Sequence, residues 1–327
     1  MKTLVLSMIS IAATVAAMTA CTSESDGIDD LTKDAPVEIK ASAGVGSITT
    51  KGVMDTWGAS GSNAFFCKAE DNKDAAVWAS ATPIYAKITE SGNISFYDNP
   101  DRTTEVKQYY NADENLKSWL CGCYLGDAVI SNSATTLTNN KVTFTITGQE
   151  DIMATNELSG TKKTHLEKFT FNHLLSNLSF MIVPKAGSEL SAVQGAFGKV
   201  TKIEVLKQPN LLDLTLEKTP SLKPNGTPGS ETFSLSNEVA INNDATFGDI
   251  MIYPNENAGK TGSEIEIIIY TENAKAGINV KIQLGDGNTG LVINTKYTVT
   301  LSFSATDIEA TAQIGNWSTG TGSGQVE

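Results

Sequence analysis

The sequence is poor in the side chains that usually carry catalysis or bind metals. Among its 327 residues are only 2 His and 4 Cys. Imidazole and thiolate groups are the usual zinc ligands, and imidazole is the commonest general base. The motifs G-x-S-x-G, H-E-x-x-H and G-x-x-x-x-G-K-[ST], which mark hydrolases, zinc proteases and phosphate-binding loops, do not occur in it. We therefore predict no enzyme and neither a metal nor another cofactor.

Positive charge is also scarce. Lys and Arg together number 24 against 37 Asp and Glu, which gives a net charge of −13. Because phosphate backbones are bound by clustered positive charge, we predict no nucleic-acid partner. Hydrophobic residues make up 40% and charged residues 19%, which is typical of a globular chain.

Long apolar runs are lacking except near the first residue. The run from Leu4 to Ala17 follows Lys2 and is too short to span a membrane, so residues 1–20 are predicted to be a secretory signal peptide. The run ends in Met18-Thr19-Ala20-Cys21, which resembles the lipobox of bacterial lipoproteins. That resemblance implies lipidation (palmitate) at Cys21 and anchoring in the outer membrane. The alternative is a plain signal peptide with an incidental cysteine.

An acidic, polar segment over residues 21–36 follows and is predicted to be a solvated tether. Its acidic residues resemble the surface-export signal of Bacteroidetes lipoproteins, although a generic spacer explains them equally well.

From residue 37 onward, apolar residues alternate with polar ones. The alternation is clear over 37–41, 142–147, 265–269, 278–284 and 297–303. An apolar residue at every second position, together with many β-branched residues, predicts half-buried strands. The periodicity expected of helices is weak.

The turn signals between these segments complete the prediction of fold class. Residues 285–288 (GDGN) suit a hairpin loop, and residues 111–120 and 186–197 suit short helices or turns. We predict an all-β protein made of β-sandwich domains. A polar stretch at 160–163 predicts a boundary between an N-terminal domain over 37–163 and a C-terminal domain over 164–327. No internal repeat is evident.

The cysteines and histidines are the candidates for a redox or metal site. Cys121 and Cys123 would lie on one face of a strand, and Cys67 could pair with either in an oxidising envelope. A structural role, a disulfide and a redox or metal role remain open, with a structural role favoured. His165 and His173 have no third ligand in view, which favours a structural role for both.

Two segments near the chain ends are unusual. Residues 47–52 (SITTKG) place Lys51 where a trypsin-like protease would cut an exposed loop, the alternative being an ordinary strand end. Near the C-terminus Ile308, Ala310, Ala312 and Ile314 alternate with polar residues. Such a strand either closes its own sheet or adds to a neighbour's.

The combination resembles the fimbrillin family of Bacteroidales, the subunits of type V pili. The matching pieces are the lipobox at Cys21, residues 48–51 (ITTK) ahead of Trp57, residues 149–154 (QEDIMA), residues 169–178 (FTFNHLLSNL), and residues 297–301 (YTVTL) through 314–317 (IGNW).

This resemblance implies two tandem transthyretin-like β-sandwich domains and assembly by strand exchange. It implies that Cys21 is the lipid site and Lys51 the site of a trypsin-like maturation protease. The donor strand would comprise Ile308, Ala310, Ala312, Ile314 and Trp317. His173 would pack or form hydrogen bonds between domains.

The predicted function is therefore that of a structural fimbrial subunit supporting adhesion, in the fimbrium at the outer membrane surface. Its partners would be other fimbrial subunits in a homo- or heteropolymer, the membrane through a lipid anchor, and the maturation protease. One alternative is a monomeric surface lipoprotein that binds glycan or a host protein. Another is an uncleaved pilus anchor, since Lys51 stands where the family usually has Arg.

Overall fold

The structure is a computed structural model that describes residues 35–46, 56–130, 135–226, 229, 231–285, 287–288 and 290–315, with backbone alone for 314 and 315. Residues Pro36–Glu327 form one compact unit. No helix in the described part of the chain is long and apolar enough to cross a membrane.

Strands dominate the described residues, which confirms the predicted all-β class. The first strands are β1 (Ala41–Val45), β2 (Ser62–Asp71), β3 (Ala76–Ile88), β4 (Asn93–Tyr97), β5 (Glu105–Val106), β6 (Ser118–Tyr124), β7 (Leu137–Thr138), β8 (Lys141–Thr145), β9 (Met153–Ala154), β10 (Leu158–Gly160) and β11 (Phe169–His173). The others are β12 (Ser176–Pro184), β13 (Lys199–Gln208), β14 (Leu211–Thr215), β15 (Ser221–Pro224), β16 (Glu231–Ala240), β17 (Ala245–Ile252), β18 (Ile265–Thr271), β19 (Ile278–Ile282), β20 (Thr295–Phe303) and β21 (Ile308–Gly315). Two short helices are α1 (Asp127–Ile130) and α2 (Leu190–Phe197).

The first eleven strands mostly form one large sheet. Its order is β1-β11-β9-β6-β2-β3-β4-β5, with β10 added beside β6. Strand β1 also pairs with β4, so that β1, β11, β9, β6, β2, β3 and β4 form a closed ring. Phe66 fills the interior, where its ring meets those of Phe96, Phe169 and Phe171 edge-on.

The later strands form smaller sheets of four. Their orders are β17-β12-β20-β21, β16-β13-β18-β19 and β15-β14-β8-β7. The inward side chains of β20 and β18 are fully or nearly fully buried, as their alternation predicts. Strands β7 and β8 precede residue 163 but share a sheet with β14 and β15, which follow it. The division at residues 163 and 164 stays a prediction.

Of two local predictions, one was confirmed in part and one was wrong. The segment 111–120, predicted to be a short helix or a turn, forms turns and the start of β6. Residues 285–288 do not close a hairpin, since β19 pairs with β18 whereas β20 pairs with β12 and β21. Glycine and aspartate favour a reversal of the chain, but they do not determine which strands become neighbours.

The three described cysteines are core residues. Cys67 on β2 lies opposite Cys121 on β6, with their Sγ atoms 3.4 Å apart. These two residues and Cys123 are fully buried and free of disulfides. Burial raises the pKa of the Cys121 and Cys123 thiols. No group of three or more metal-binding side chains occurs among the residues that the structure describes.

Two glycines on regular elements allow a matched test of packing. A Cβ atom on Gly122 would lie 2.7 Å from the buried Phe66 ring, whereas one on Gly195 in α2 would meet nothing within 4 Å. We expect Gly122→Ala to lower the free energy of unfolding by about 1–3 kcal/mol through overpacking. Gly195→Ala should raise it by roughly 0.5–1 kcal/mol, since alanine costs less entropy in a helix. Urea unfolding measures both, and equal signs for the two variants would contradict this packing.

The thiols give a second test in the unlipidated chain 22–327. In the reduced protein none of the three should react with Ellman's reagent at pH 8, because all three are buried and the raised pKa values of Cys121 and Cys123 leave those two thiols little thiolate. Unfolding should release all three. Protein made in an oxidising compartment should form a disulfide between Cys67 and Cys121, whose Sγ atoms lie 3.4 Å apart. When that protein is unfolded without reductant, only one thiol should therefore react. Rapid labelling of the folded protein would contradict the buried placement.

Candidate strand-exchange site

The residues predicted to act in assembly lie at the two ends of the described chain. Cys21, Lys51 and Trp317 are outside the described residues, and Ile314 is described by its backbone alone. The strands next to them are described, namely β1 before Lys51 and β21 before Trp317. Their surroundings determine whether either strand is suited to exchange.

Strand β1 and the residues before it present alternate side chains to the interior. Ile39 is 3% exposed, Ala41 9% and Ala43 2%, while Lys40 points to solvent. Val37 and Val45, at either end, are partly buried and pack against the core. The alternation predicted from residue 37 is therefore confirmed here, with an inward row of large, small, small and large residues from 39 to 45.

Backbone hydrogen bonds hold this segment on both of its edges. Ala41 pairs with Ile94 of β4 in antiparallel orientation, and Ala43 pairs with Phe169 of β11 in parallel orientation. Further hydrogen bonds extend the pairing at both ends, from Ile39 N to Gln108 O (2.7 Å), Tyr110 N to Val37 O (3.0 Å), Ala43 N to Gly92 O (2.7 Å) and Gly46 N to Phe171 O (2.7 Å). The segment thus occupies a slot between two neighbours, which we call the β1 seat.

Trp57 closes one end of the β1 seat. Its Nε1 donates a hydrogen bond to the carbonyl oxygen of Ala43 at 3.3 Å. Its ring is 4% exposed and packs edge-on against Phe171 and Tyr124, with centroids 5.1 and 6.0 Å away. Since Trp57 follows Lys51 in the chain, it would stay with the body if the chain were cut there.

Gly92 is a seat residue that sequence reasoning missed. Its φ is +84°, and a Cβ atom there would lie 2.2 Å from the carbonyl oxygen of Ala43. Only glycine allows β1 to approach the β3–β4 turn so closely. The Ser-Gly-Asn sequence at 91–93 signals a turn, but nothing in it indicates contact with a strand fifty residues earlier.

Strand β21 has a different environment. It lies at the edge of its sheet and pairs antiparallel with β20, from Ile308 opposite Phe303 to Gly315 opposite Lys296. On its other side the described contacts are an isolated bridge between Leu284 and Ala312 and a hydrogen bond from Gly285 N to Ala312 O of 3.2 Å. Most of that edge therefore has no strand partner among the described residues.

The inward side chains of β21 are those predicted. Ile308 is 6% exposed, Ala312 is 5% exposed, and Ala310 packs against the core. On the outer face Glu309 forms an ion pair with Lys185, the residue that follows β12. This exposed pair contributes little to stability.

His173, the last residue of β11, forms a buried polar contact. Its Nδ1 is 2.7 Å from Oδ1 of Asp151, and the His173 side chain is 1% exposed. His165 instead stacks on Tyr110, with ring centroids 5.3 Å apart. The structure does not bring the two histidines to a common site, and both make packing or hydrogen-bonding contacts.

Two of the described tryptophans are unavailable to a sugar-binding platform. Trp57 and Trp119 are buried, and Trp78 donates a hydrogen bond from Nε1 to Glu157 Oε2 at 3.1 Å. A shallow groove of about 540 Å³ on β13 and β18 includes Tyr270, but the ammonium of Lys202 lies over that ring, 4.0 Å from its centroid.

Comparison with known proteins identifies the fold. Neither the search with protein-family models nor the search of curated proteins finds a match. Solved structures do match over most of the chain. One, from Bacteroides uniformis and provisionally described as a cell adhesion protein, has a TM-score of 0.59 at 15% identity and covers 86% of this chain and 99% of its own. A similarly described protein from Bacteroides ovatus has a TM-score of 0.58 at 14% identity, covering 87% and 99%.

A more distant neighbour is the tip fimbrial protein Mfa3 from Porphyromonas gingivalis with C-terminal truncation. Its TM-score is 0.42 at 12% identity, with 86% of this chain and all of that chain covered (100%). At such identities the likeness concerns the fold alone. The chain has the all-β fold of the two Bacteroides proteins described above.

Proposed function

We propose that this chain is a structural fimbrial subunit, exported as a lipoprotein and assembled by proteolysis-triggered strand exchange in support of adhesion. The observation that carries the proposal is the position of β1. This strand closes a ring of seven strands, and only six residues separate its last residue, Val45, from Gly52, the residue after the predicted cleavage site.

Cleavage after Lys51 would change how β1 is held. In the intact chain the segment that follows β1 joins it covalently to the body and keeps it close to its seat, at an effective concentration in the millimolar range. Once that segment is cut, only the non-covalent contacts described above retain β1, and a released strand is diluted away. The same cut would separate the body from the lipid at Cys21.

Loss of β1 would leave an energetically unfavourable open groove between β4 and β11. The facing edges of β4 and β11 would have unpaired backbone groups, and the apolar surface now covered by Ile39, Ala41 and Ala43 would meet water. Burying an Ile side chain alone is worth about 1.5–3 kcal/mol. A strand from another subunit would restore both kinds of contact.

A donor at one end and an acceptor at the other build a filament. Strand β21 is the proposed donor, through Ile308, Ala310, Ala312 and Ile314, with Trp317 following it. The contact is head-to-tail and does not close on itself, so it extends indefinitely when each subunit has an empty seat. Cys21 and the acidic segment 21–36 would hold the precursor at the outer membrane surface until the protease acts.

Two alternatives make different use of the same strand. An uncleaved anchor would keep β1 in its seat and could still donate β21. A monomeric surface lipoprotein that binds glycan or a host protein would need neither a cut nor a donor. Trp57 and Trp119 are buried and therefore offer that alternative no exposed indole ring.

The cleavage site is tested by limited proteolysis of the unlipidated chain 22–327. A trace of trypsin-like protease should give a new N-terminus at Gly52 and a ladder of multimers that resists detergent without boiling. Lys51→Gln should abolish both. Lys40→Gln is the matched control, because Lys40 is exposed immediately before β1 and its loss should change neither. A Lys51→Gln protein that still forms the ladder would refute cleavage at this site as the trigger.

The donor strand is tested by deletion of residues 308–327. We expect a folded monomer with a somewhat lower melting temperature, because the deletion removes the buried side chains of Ile308 and Ala312 and exposes the apolar surface that they cover. After cleavage it should accept strands but form no ladder alone. Circular dichroism and detergent gels measure the two effects, and unchanged ladders from the deleted protein would exclude β21 as donor.

A further inference from the structure

The segment that contains β1 and strand β21 have similar sequences, with four of eight aligned residues identical. Residues 39–46 read IKASAGVG and residues 308–315 read IEATAQIG. Aligned without a gap, the isoleucines, both alanines and the last glycines coincide. Ser42 corresponds to Thr311 and Val45 to Ile314, which are conservative exchanges. The match matters because β1 fills the seat that the proposed donor would have to fill.

The identical positions are those that the β1 seat constrains most. Ala41 and Ala43 are buried, at 9% and 2% exposure, so larger side chains would overpack the seat. Strand β21 offers Ala310 and Ala312 at these positions. Ile39 is 3% exposed, and a donor lacking a large apolar residue there would leave a cavity. Ile308 matches its size.

The glycine at the end of the match has a steric reason as well. A Cβ atom on Gly46 would lie 2.8 Å from Asn172 Oδ1 and 3.2 Å from the carbonyl oxygen of Phe171. The Gly46 amide donates to that same oxygen at 2.7 Å. Gly315 would allow the same close approach and the same hydrogen bond.

Three of the four differing positions lie on the outer face, where the β1 seat tolerates different side chains, and the fourth replaces the partly buried Val45 by the similar Ile314. Lys40 is exposed, and Glu309 would take its place. Gln313 would replace Gly44, where a Cβ atom would meet only the flexible end of Lys168, at 2.9 Å from Cε and 3.0 Å from Nζ. That lysine can move aside and donate a hydrogen bond to the glutamine side chain.

Backbone pairing gives the exchange a direction. In its own subunit β21 has one full partner strand, β20, along one edge. In the β1 seat it would lie between β4 and β11, which bind on both edges. When β21 moves from its own sheet into the β1 seat of another subunit, it therefore gains a second paired edge. This transfer is blocked as long as β1 occupies the seat.

We propose that β21 of a second copy of this chain occupies the β1 seat in one register, with Ile308 at the position of Ile39 and Gly315 at that of Gly46. The chain thus carries a copy of its own displaced strand and polymerises with itself. This inference rests on the proposed function and adds to it the identity of the partner and the alignment of the strand.

Paired cysteines test the register. Ser42 lies opposite Asn93 of β4, so Thr311 of the donor should lie opposite Asn93 of the acceptor. In the unlipidated chain 22–327, Asn93→Cys with Thr311→Cys should cross-link adjacent subunits after cleavage and mild oxidation. The out-of-register control is Asn93→Cys with Gln313→Cys, whose diagonal spacing should lower the yield about tenfold. Neither pair should cross-link before cleavage.

Synthetic peptides test the size match without altering the fold. A peptide of residues 307–316, added to freshly cleaved protein, should occupy the β1 seat and suppress the ladder. The same peptide with Ala312→Leu should not, whereas Thr311→Val on the outer face should leave suppression intact.

The outcomes separate the two proposals. If the unmodified protein forms no ladder after cleavage at Lys51, assembly by strand exchange is wrong. If a ladder forms but the Gln313→Cys pair cross-links as well as the Thr311→Cys pair, or the Ala312→Leu peptide suppresses as well as the unmodified peptide, the proposed register is wrong. If the cleaved protein binds the 307–316 peptide but never itself, the partner is not a second copy.

Discussion

The pairing of β1 with β4 on one side and β11 on the other is the contact on which the N-terminal sheet depends. Without it the strands from β11 round to β4 would form an open sheet with two free edges. With it they form a ring around the Phe66 cluster. The constraint is non-local, because β1 lies about fifty residues before β4 and over a hundred before β11. A short strand near one chain end thus completes a core built by residues far from it.

The two terminal strands are held unequally. Strand β1 has partners along both edges and, together with Ile39 just before it, three strongly buried inward residues, whereas β21 has one full partner and lies at the edge of its sheet. Edge strands leave backbone donors and acceptors available to other chains. A fully paired strand near one end of the chain and a similar edge strand near the other are the two components that the proposed head-to-tail polymer needs.

The solved structures with this fold share about one residue in seven with the chain, at 15% and 14% identity. A fold can persist at such divergence because strands require an alternation of inward and outward residues more than particular side chains. Positions where backbone approaches backbone are less tolerant. Gly92 beside Ala43 and Gly46 beside Phe171 are two such positions, and the second recurs as Gly315 in β21.

The sequence by itself determined the secondary structure and its faces. Alternating residues predicted β8, β18, β19, β20 and β21 and the side of each that is buried, because period two is a local property of an extended chain. Local turn chemistry did less well: residues 285–288 signalled a turn, and the hairpin inferred from it was wrong. The resemblance supplied the roles proposed for Cys21, Lys51 and β21, which composition alone could not have indicated. Only the tertiary structure decided which strands are neighbours, that Cys67 faces Cys121, that β1 closes the ring, and that Gly92 must lack a side chain. Those facts depend on contacts between residues far apart in the chain, and no local pattern records which distant edge will offer the hydrogen bonds.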